Sequence, residues 1–204
     1  MFHKIPRLRY ASLGMTEKMK IPTLQTERLI LRPICMDDVS DIQKLFNHWD
    51  IVKFTRAPLP LPENAALMNM RDKTLPAMEE GKQFSWAITL KESGEFMGRV
   101  DYRLYDGQKP DRGFFMGIPF QGKGYMTEAV MVTQDFMFFE YGLEVLIVKN
   151  ALSNEASRKI KQKTGAEYVG VEDDTCGHLG DKTEVWKVTR EGWERARSLL
   201  SGSL

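Results

Sequence analysis

The sequence predicts one α/β domain in which a mostly antiparallel first half leads into a locally parallel centre. Its 204 residues fit one domain better than two, and 42% hydrophobic with 28% charged residues is typical of a globular protein. Up to residue 118 the patterns are mainly those of strands, whereas strands and helices alternate after it. Such alternation brings strands together in parallel, because each helix returns the chain to the same end of the sheet.

The first predicted elements are one strand and two helices. Residues 26–32 alternate apolar and polar side chains, which predicts a strand that ends at Pro33. Apolar residues at helical spacing predict a helix that ends at Phe46. A second helix is predicted over residues 63–80, although Pro76 would kink it or end it early.

A run of strands follows. Residues 84–90 and 96–105 are predicted strands, and residues 92–94 between them are a short hairpin signal. Residues 113–118 are almost wholly apolar, so we expect a third strand that is buried on both faces.

The second half alternates between the two kinds of element. After Gly124 an apolar stripe at helical spacing predicts a helix whose buried residues are Met126, Ala129, Val130, Thr133, Phe136 and Met137. The remaining predicted strands are 143–148, 166–171 and 182–189, and the remaining predicted helices are 153–164 and 193–200.

Charge and composition exclude several functional classes. Lys and Arg number 29 against 28 for Asp and Glu, and the net charge of +1 argues against nucleic acid as a partner. No apolar run approaches the roughly 20 residues that span a bilayer, so we expect no membrane partner. Cys35 and Cys176 are far apart and only three histidines accompany them, which predicts neither a disulfide nor a metal site. Free thiols are typical of a cytoplasmic protein.

Residues 1–20 form a basic N-terminal extension to a domain predicted over residues 21–204. Five Lys and Arg residues stand there against the single acid Glu17, without the apolar core of a secretory signal. We interpret the extension as a loosely ordered leader or as the product of an early start codon upstream of Met15 or Met19, with a basic arm that contacts an acidic partner as the alternative.

The most informative segment runs from Gly117 to Ala129, where an apolar strand leads through a loop into a helix. Gly122 and Gly124 permit backbone conformations that other residues avoid and remove side chains that would block a ligand. The first amides of a helix point outward at the positive end of its dipole, which favours a phosphate or pyrophosphate. A glycine-rich turn without a ligand is the alternative interpretation.

Three classes of phosphate-containing ligand are candidates for this loop. Residues 117–123 satisfy the G-x-x-x-x-G-K pattern of a nucleoside triphosphate site, but Gly124 stands where Ser or Thr must hold magnesium. A dinucleotide pattern that starts at Gly122 ends on Thr127 instead of a third glycine. Coenzyme A is the third.

The segment Phe120–Ala129, FQGKGYMTEA, resembles the acetyl-CoA loop of the GNAT N-acetyltransferase superfamily, and is nearest to its ribosomal-protein N-terminal acetyltransferases. Residues 26–32, 94–100 and 154–166 resemble further blocks of that branch in the same order, so the similarity spans residues 24–188. Two departures are Pro119 in the loop and Ala166 where the family commonly has Phe. The resemblance implies a GNAT-like α+β fold: a mixed, mostly antiparallel, twisted sheet of about seven strands with a splayed centre, flanked by helices.

The resemblance further implies transfer of an acetyl group from acetyl-CoA, a co-substrate, directly to a primary amine, without a metal. A backbone amide at the end of the central strand would stabilise the oxyanion, and the candidates are Met116, Gly117 and Ile118. The other implied coenzyme-binding residues of the loop and helix start are Gln121, Gly122, Lys123, Gly124, Tyr125, Met126 and Thr127.

The helix over residues 153–164 carries the remaining implied site residues. Asn154 would contact coenzyme A, with a plain helix cap as the alternative. Ser157 would contact the coenzyme near its sulfur and act there as general acid or hold a water, with a simple helix-start residue as the alternative. Lys161 stands where other branches place a tyrosine. A basic face that could neutralise the coenzyme's 3′-phosphate, or be merely solvated, consists of Arg158, Lys159, Lys161 and Lys163.

The general base is not identified by the sequence, because the strand over residues 113–118 has no carboxylate. The candidates are Asp101, Asp173, Asp174, Glu184 and His178, and proton removal through water is the alternative.

The amine acceptor is left open between a protein N-terminus and a small molecule. We expect the acceptor to be chosen by residues 49–62, 63–80 and 105–112, whose mixed aromatic and charged content favours neither class. A homodimer is compatible with the sequence. The alternative to an enzyme is a non-catalytic acyl-CoA-binding sensor or interaction protein on the same fold.

Overall fold

The computed structural model describes residues 20–104 and 109–201, and within them eight strands form a single sheet in the order β1-β2-β3-β4-β5-β6-β8-β7. The strands are β1 (Leu24–Gln25), β2 (Leu29–Pro33), β3 (Gln83–Leu90), β4 (Phe96–Arg103), β5 (Asp111–Met116), β6 (Val145–Ala151), β7 (Glu167–Cys176) and β8 (Asp181–Thr189). Residues 1–19 of the basic extension and residues 105–108 of the predicted acceptor loop lie outside the described residues.

The centre of the sheet is splayed between β5 and β6. Every other neighbouring pair in the described sheet is antiparallel, whereas β5 and β6 run parallel and are in register at Asp111 and Ile147 alone. The two strands diverge beyond that point, so a gap opens between Met116 at the end of β5 and Ala151 at the end of β6. The predicted mixed, mostly antiparallel sheet with a splayed centre is confirmed.

Helices cover both faces of the sheet. They are α1 (Val39–Phe46), α2 (Trp49–Val52), α3 (Ala65–Asn69), α4 (Leu75–Glu79), α5 (Tyr125–Asp135), α6 (Glu155–Lys163) and α7 (Arg190–Ser201). Successive residues of a strand point to opposite faces. Trp86 on β3 therefore joins the larger core under α5, and Ala87 joins the smaller core under α1 and α3. The predicted stripe is confirmed, since all six of its residues are buried, although Phe136 and Met137 lie in the π-helical turn Phe136–Glu140 that follows α5.

The first strand is shorter than predicted, because residues 26–28 form a turn between β1 and β2. Glu128 of α5 accepts hydrogen bonds from the Thr26 hydroxyl and from the Arg28 backbone N–H. Glu128 lies about a hundred residues further along the chain. The local alternating pattern could therefore not reveal this turn, and it indicated one continuous strand. The eighth strand of the described sheet is β1, which precedes the predicted strand and was not predicted.

The helix predicted over residues 63–80 neither ends nor breaks at Pro76. A π-helical turn over Met70–Thr74 joins α3 to α4, and the Leu75 N–H donates to the Met70 carbonyl five residues back. Proline has no N–H to donate, and its ring crowds the carbonyl four residues back. A π turn widens the helix locally and so accommodates the ring without ending the helix. The short helix α2 was not predicted at all.

The predicted strand over residues 113–118 lies two residues earlier, and the expectation that both of its faces are buried is wrong. Only Arg112 and Met116 of β5 are buried. The physical reason is the splay, since β5 loses β6 as its neighbour after Asp111. Gly117 ends the strand, and Ile118 begins a short 3-10 turn.

Candidate active site

A cleft of about 400 Å³ lies where β5 and β6 diverge. One wall comes from the segment after β5, and the other from the segment that leads into α6. The chain around α2 closes a third side. The residues that line the cleft are Asp50, Lys53, Phe54, Ile118, Gln121, Ser153, Asn154, Glu155 and Ala156.

The glycine loop leads from β5 into α5. Gly122 and Gly124 have φ angles of +75° and +84°, in the left-handed region where a side chain is strained. Gly124 is the N-cap of α5, and no side chain in the described structure caps this helix start. The first N–H groups of a helix have no partners within the helix. The loop therefore presents backbone donors and a positive dipole end to a phosphate.

The predicted loop residues differ in what they can offer. Residues 121–124 are exposed, so both their backbone and the Lys123 side chain are accessible to a ligand. The Met126 side chain is buried in the core, so its contribution could come only from the backbone. Gln121 lines the cleft and its Nε2 donates to the Met116 carbonyl at 2.8 Å, which ties the loop to the end of β5.

Arg28 holds the glycine loop from outside, a contact that sequence reasoning missed. Its Nη1 donates to the Lys123 carbonyl at 3.1 Å, and its guanidinium lies 4.5 Å from the centre of the Tyr125 ring. Glu128 pairs with the same guanidinium at 2.6 Å. Arg28 belongs to the first of the four matching blocks, but no local pattern links it to a loop a hundred residues away.

The end of β5 offers one backbone donor to the cleft side. The Gly117 N–H is already used, because it donates to the Met97 carbonyl of β4 at 2.8 Å. In an antiparallel pair successive residues point their N–H groups to opposite edges of the strand. The Met116 N–H therefore points to the edge from which β6 has diverged. The Met116 carbonyl points to the same edge, where it accepts from Gln121. Of the three predicted oxyanion donors, the Met116 N–H lies on this edge and the Gly117 N–H does not.

The N-terminus of α6 contributes a linked set of polar side chains. Asn154 caps the helix, and its Oδ1 accepts from the Ser157 N–H at 3.0 Å while the residue also lines the cleft. Ser157 lies one turn further on, is 6% exposed, and accepts at Oγ from Lys161 Nζ at 2.7 Å. Lys161 itself is 1% exposed, so the prediction that it belongs to a solvated basic face is wrong.

The predicted general bases do not line the cleft. Asp101 pairs with Arg99 at 2.8 Å, and the exposed Asp173 and Asp174 pair with lysine or arginine on the surface. His178 contacts the Ala57 carbonyl. In the described structure the carboxylates that do line the cleft are Asp50 and Glu155, which sequence reasoning did not select.

Glu184 and Asp50 both have lowered pKa values. Burial raises the pKa of Glu184, but hydrogen bonds from Arg158 and Asn150 lower it more, so the group is ionised and a weak base. The hydrogen bond from Lys53 lowers the pKa of Asp50 in the cleft. Asp50 is therefore a poor base, and its charge is already paired with Lys53 at 2.7 Å.

Residues 28–167 match the family model described as an acetyltransferase (GNAT) domain, which covers well over half of the chain. The chain belongs to the GNAT acetyltransferase family. A curated relative, the uncharacterized N-acetyltransferase p20 of Bacillus licheniformis, is 24% identical over 151 residues, which are 73% of this chain and 84% of that protein. Acyl transfer is thus the chemistry of the family to which this GNAT chain belongs.

Solved structures show the same fold. The ribosomal-protein-S5-alanine acetyltransferase from Vibrio fischeri superposes with a TM-score of 0.71 at 19% identity, covering 84% of this chain and 98% of that chain. The ribosomal L7/L12 alpha-N-protein acetyltransferase RimL, in complex with coenzyme A, gives 0.72 at 15% identity, covering 83% and 97%. Both belong to the branch that the sequence of this GNAT chain resembles. None of the helices described for it has the length and apolar character that a membrane span requires.

Proposed function

We propose that this GNAT chain transfers an acetyl group from acetyl-CoA directly to a primary amine. The observation that carries the proposal is the cleft itself: Gln121 at the start of the glycine loop lines it and binds the end of β5, and Asn154 at the start of α6 lines the other wall. These three parts suit the phosphates, the thioester carbonyl and the leaving sulfur of the coenzyme.

The glycine loop would hold the pyrophosphate on the backbone amides of residues 122–127. Lys123 is exposed at that position and would add a positive charge. Arg28 would contribute by fixing the loop, since its own charge is already balanced by Glu128. Asn154 lines the cleft and would contact the pantetheine chain while it caps α6.

The chemistry begins when the neutral amine attacks the thioester carbonyl. The oxygen gains negative charge, and the Met116 N–H would stabilise it because this strand edge has no neighbouring strand to use the donor. The carbon–sulfur bond then breaks, the nitrogen loses its extra proton to water, and the thiolate gains a proton from Ser157.

The acceptor is a primary amine that reaches the cleft past α2. Asp50 and Glu155 line the cleft against a single lysine, Lys53, so the lining keeps an excess of one negative charge that would attract a cationic amine before it loses its proton. Both a protein N-terminus and a small-molecule amine carry that charge, and both stay within the proposal.

The test is calorimetric titration with acetyl-CoA of the wild type and the Gly122→Glu variant. The added carboxylate should repel the pyrophosphate, so we expect micromolar binding by the wild type and at least tenfold weaker binding by the variant. Gly81→Glu is the matched control, because Gly81 has nearly the same φ, +74°, and an added Cβ meets nothing within 4 Å at either position.

A folded wild type that does not bind acetyl-CoA would contradict the proposal. Binding would justify a screen of peptides and small amines for release of free thiol from acetyl-CoA. Binding without turnover of any acceptor would favour the non-catalytic sensor over the enzyme.

A further inference from the structure

A buried lysine and serine form a pair on α6 beneath the cleft. Lys161 is 1% exposed and Ser157 is 6% exposed, and their polar atoms lie 2.7 Å apart. The residues are four positions apart, which places them on the same face of the helix. An ammonium group is costly to bury without a polar partner, and an apolar side chain would fill this helix position more cheaply.

The pair leaves one hydrogen atom of the serine free for another acceptor. In this contact Lys161 Nζ donates and Ser157 Oγ accepts. The hydroxyl hydrogen of Ser157 is therefore not used in this contact. The Ser157 N–H is held by Asn154, which lines the cleft, so the orientation of the serine is coupled to the cleft wall.

We propose that Lys161 is a positioning residue that makes the Ser157 hydroxyl a proton donor to the sulfur of coenzyme A. The inference rests on the proposed function, in which Ser157 contacts that sulfur. The positive charge beside Oγ stabilises the negative charge that develops there as the hydroxyl proton leaves.

The proton transfer balances within the reaction. When the carbon–sulfur bond breaks, the thiolate takes the hydroxyl proton of Ser157, and a proton of Lys161 Nζ passes to Oγ. Lys161 is then a neutral amine, and it regains a proton from water, which has received the proton lost by the acetylated nitrogen. No group is oxidised or reduced, and serine and lysine end as they began.

The test compares the dissociation constants of coenzyme A and desulfo-coenzyme A at pH 8, where part of the thiol is ionised. The ratio of the two constants reports contacts to the sulfur and requires no acceptor. We expect the wild type to bind coenzyme A about tenfold more tightly than the desulfo compound. Lys161→Met and Ser157→Ala should each bring the ratio close to one, and the double variant should lower it no further.

Gln162→Met is the matched control, because it places the same residue at the next, exposed position of α6. It should keep the wild-type ratio, and Lys161→Met should keep the wild-type affinity for desulfo-coenzyme A. If Lys161→Met does not fold, Lys161→Gln replaces it, since it keeps an N–H donor without the charge and should also lower the ratio.

A Lys161→Met variant with the wild-type ratio would overturn the inference. So would additive losses in the double variant, which would mean that the two residues act independently. A wild-type ratio of one would also overturn it, while the coenzyme site stood. Failure of the wild type to bind either compound would instead contradict the proposed function.

Discussion

Glu184 is a buried carboxylate whose neighbours keep it ionised. Arg158 pairs with it at 2.9 Å, and Asn150 Nδ2 donates to it at 2.8 Å. Although burial raises its pKa, these hydrogen bonds place the pKa below the ordinary value. A group whose pKa is lowered by folding stabilises the protein fully above the pKa of the unfolded chain, and loses that effect as the pH falls through the folded value.

Glu184→Gln should therefore lower the free energy of unfolding by about 2 kcal/mol near pH 7. The difference from the wild type should shrink below about pH 4, where the carboxylate of the unfolded wild type is itself protonated. Denaturant unfolding at pH 7 and pH 3.5 measures both values. Glu172→Gln is the control, because its pair with Lys149 is about half exposed and should contribute well under 1 kcal/mol. A difference for Glu184→Gln that grows on acidification would contradict the assignment.

The roles of individual side chains were the hardest feature to predict from the sequence. Glu184 was predicted as a candidate base, but its partners lie on other elements, and only the fold places Arg158 and Asn150 beside it. Lys161 was assigned to a basic face because lysine is mostly exposed, and nothing local to α6 indicates that it is buried. Asn154 as a helix cap was predictable, since the signal is local.

At the scale of elements, the glycine loop depends on a turn from the other end of the chain. Arg28 binds the Lys123 carbonyl, covers the Tyr125 ring and pairs with Glu128. A guanidinium can make these contacts at once because its donors are fixed in one plane, whereas a lysine ammonium offers a single point of charge.

Arg28→Lys should accordingly weaken acetyl-CoA binding by about five- to tenfold, although the charge is kept. The loop would lose its support at Lys123 and its amides would no longer be held in position. Calorimetric titration measures the affinity, and hydrogen exchange of residues 121–127 should become faster. Lys91→Arg, a change of the opposite sense at an exposed position near the same turn, is the control. Undiminished affinity in Arg28→Lys would show that charge alone matters.

Elements defined by a local pattern were predicted well. The stripe of α5 and the strands over residues 84–90 and 96–105 follow from periodicity and are found with small shifts at their ends. The errors occur where a distant contact decides the backbone. Glu128 turns the chain after β1, and the loss of β6 as a neighbour leaves β5 partly uncovered. The π turn before Pro76 has no signal in hydrophobic spacing.

At the scale of the whole molecule, the candidate site joins two parts of the sheet. β1 to β5 and β6 to β8 meet at the single register point between Asp111 and Ile147. The glycine loop follows β5 and Asn154 follows β6, so acetyl-CoA in the cleft would contact both parts. A ligand that binds only the folded protein stabilises it in proportion to the logarithm of its concentration.

Acetyl-CoA at a hundred times its dissociation constant should stabilise the fold by about 2.7 kcal/mol. For a protein of this size the melting temperature should rise by about 5–10 °C. Differential scanning calorimetry measures the shift, and hydrogen exchange should slow at the end of β5 and the start of α6. Gly122→Glu at the same acetyl-CoA concentration should show about half that shift or less, because its binding is at least tenfold weaker. Protection confined to the loop would contradict contact with both parts of the sheet.

The Met116 donor has a consequence for how this protein can vary. A backbone N–H is supplied by every residue except proline. Substitution of Met116 by another residue would therefore leave this donor in place as long as the backbone of β5 does not move. The Met116 side chain is constrained by packing, since it is 6% exposed in the core. Substitutions that move the edge of β5, rather than those that change residue 116, are the ones that would remove the proposed oxyanion donor.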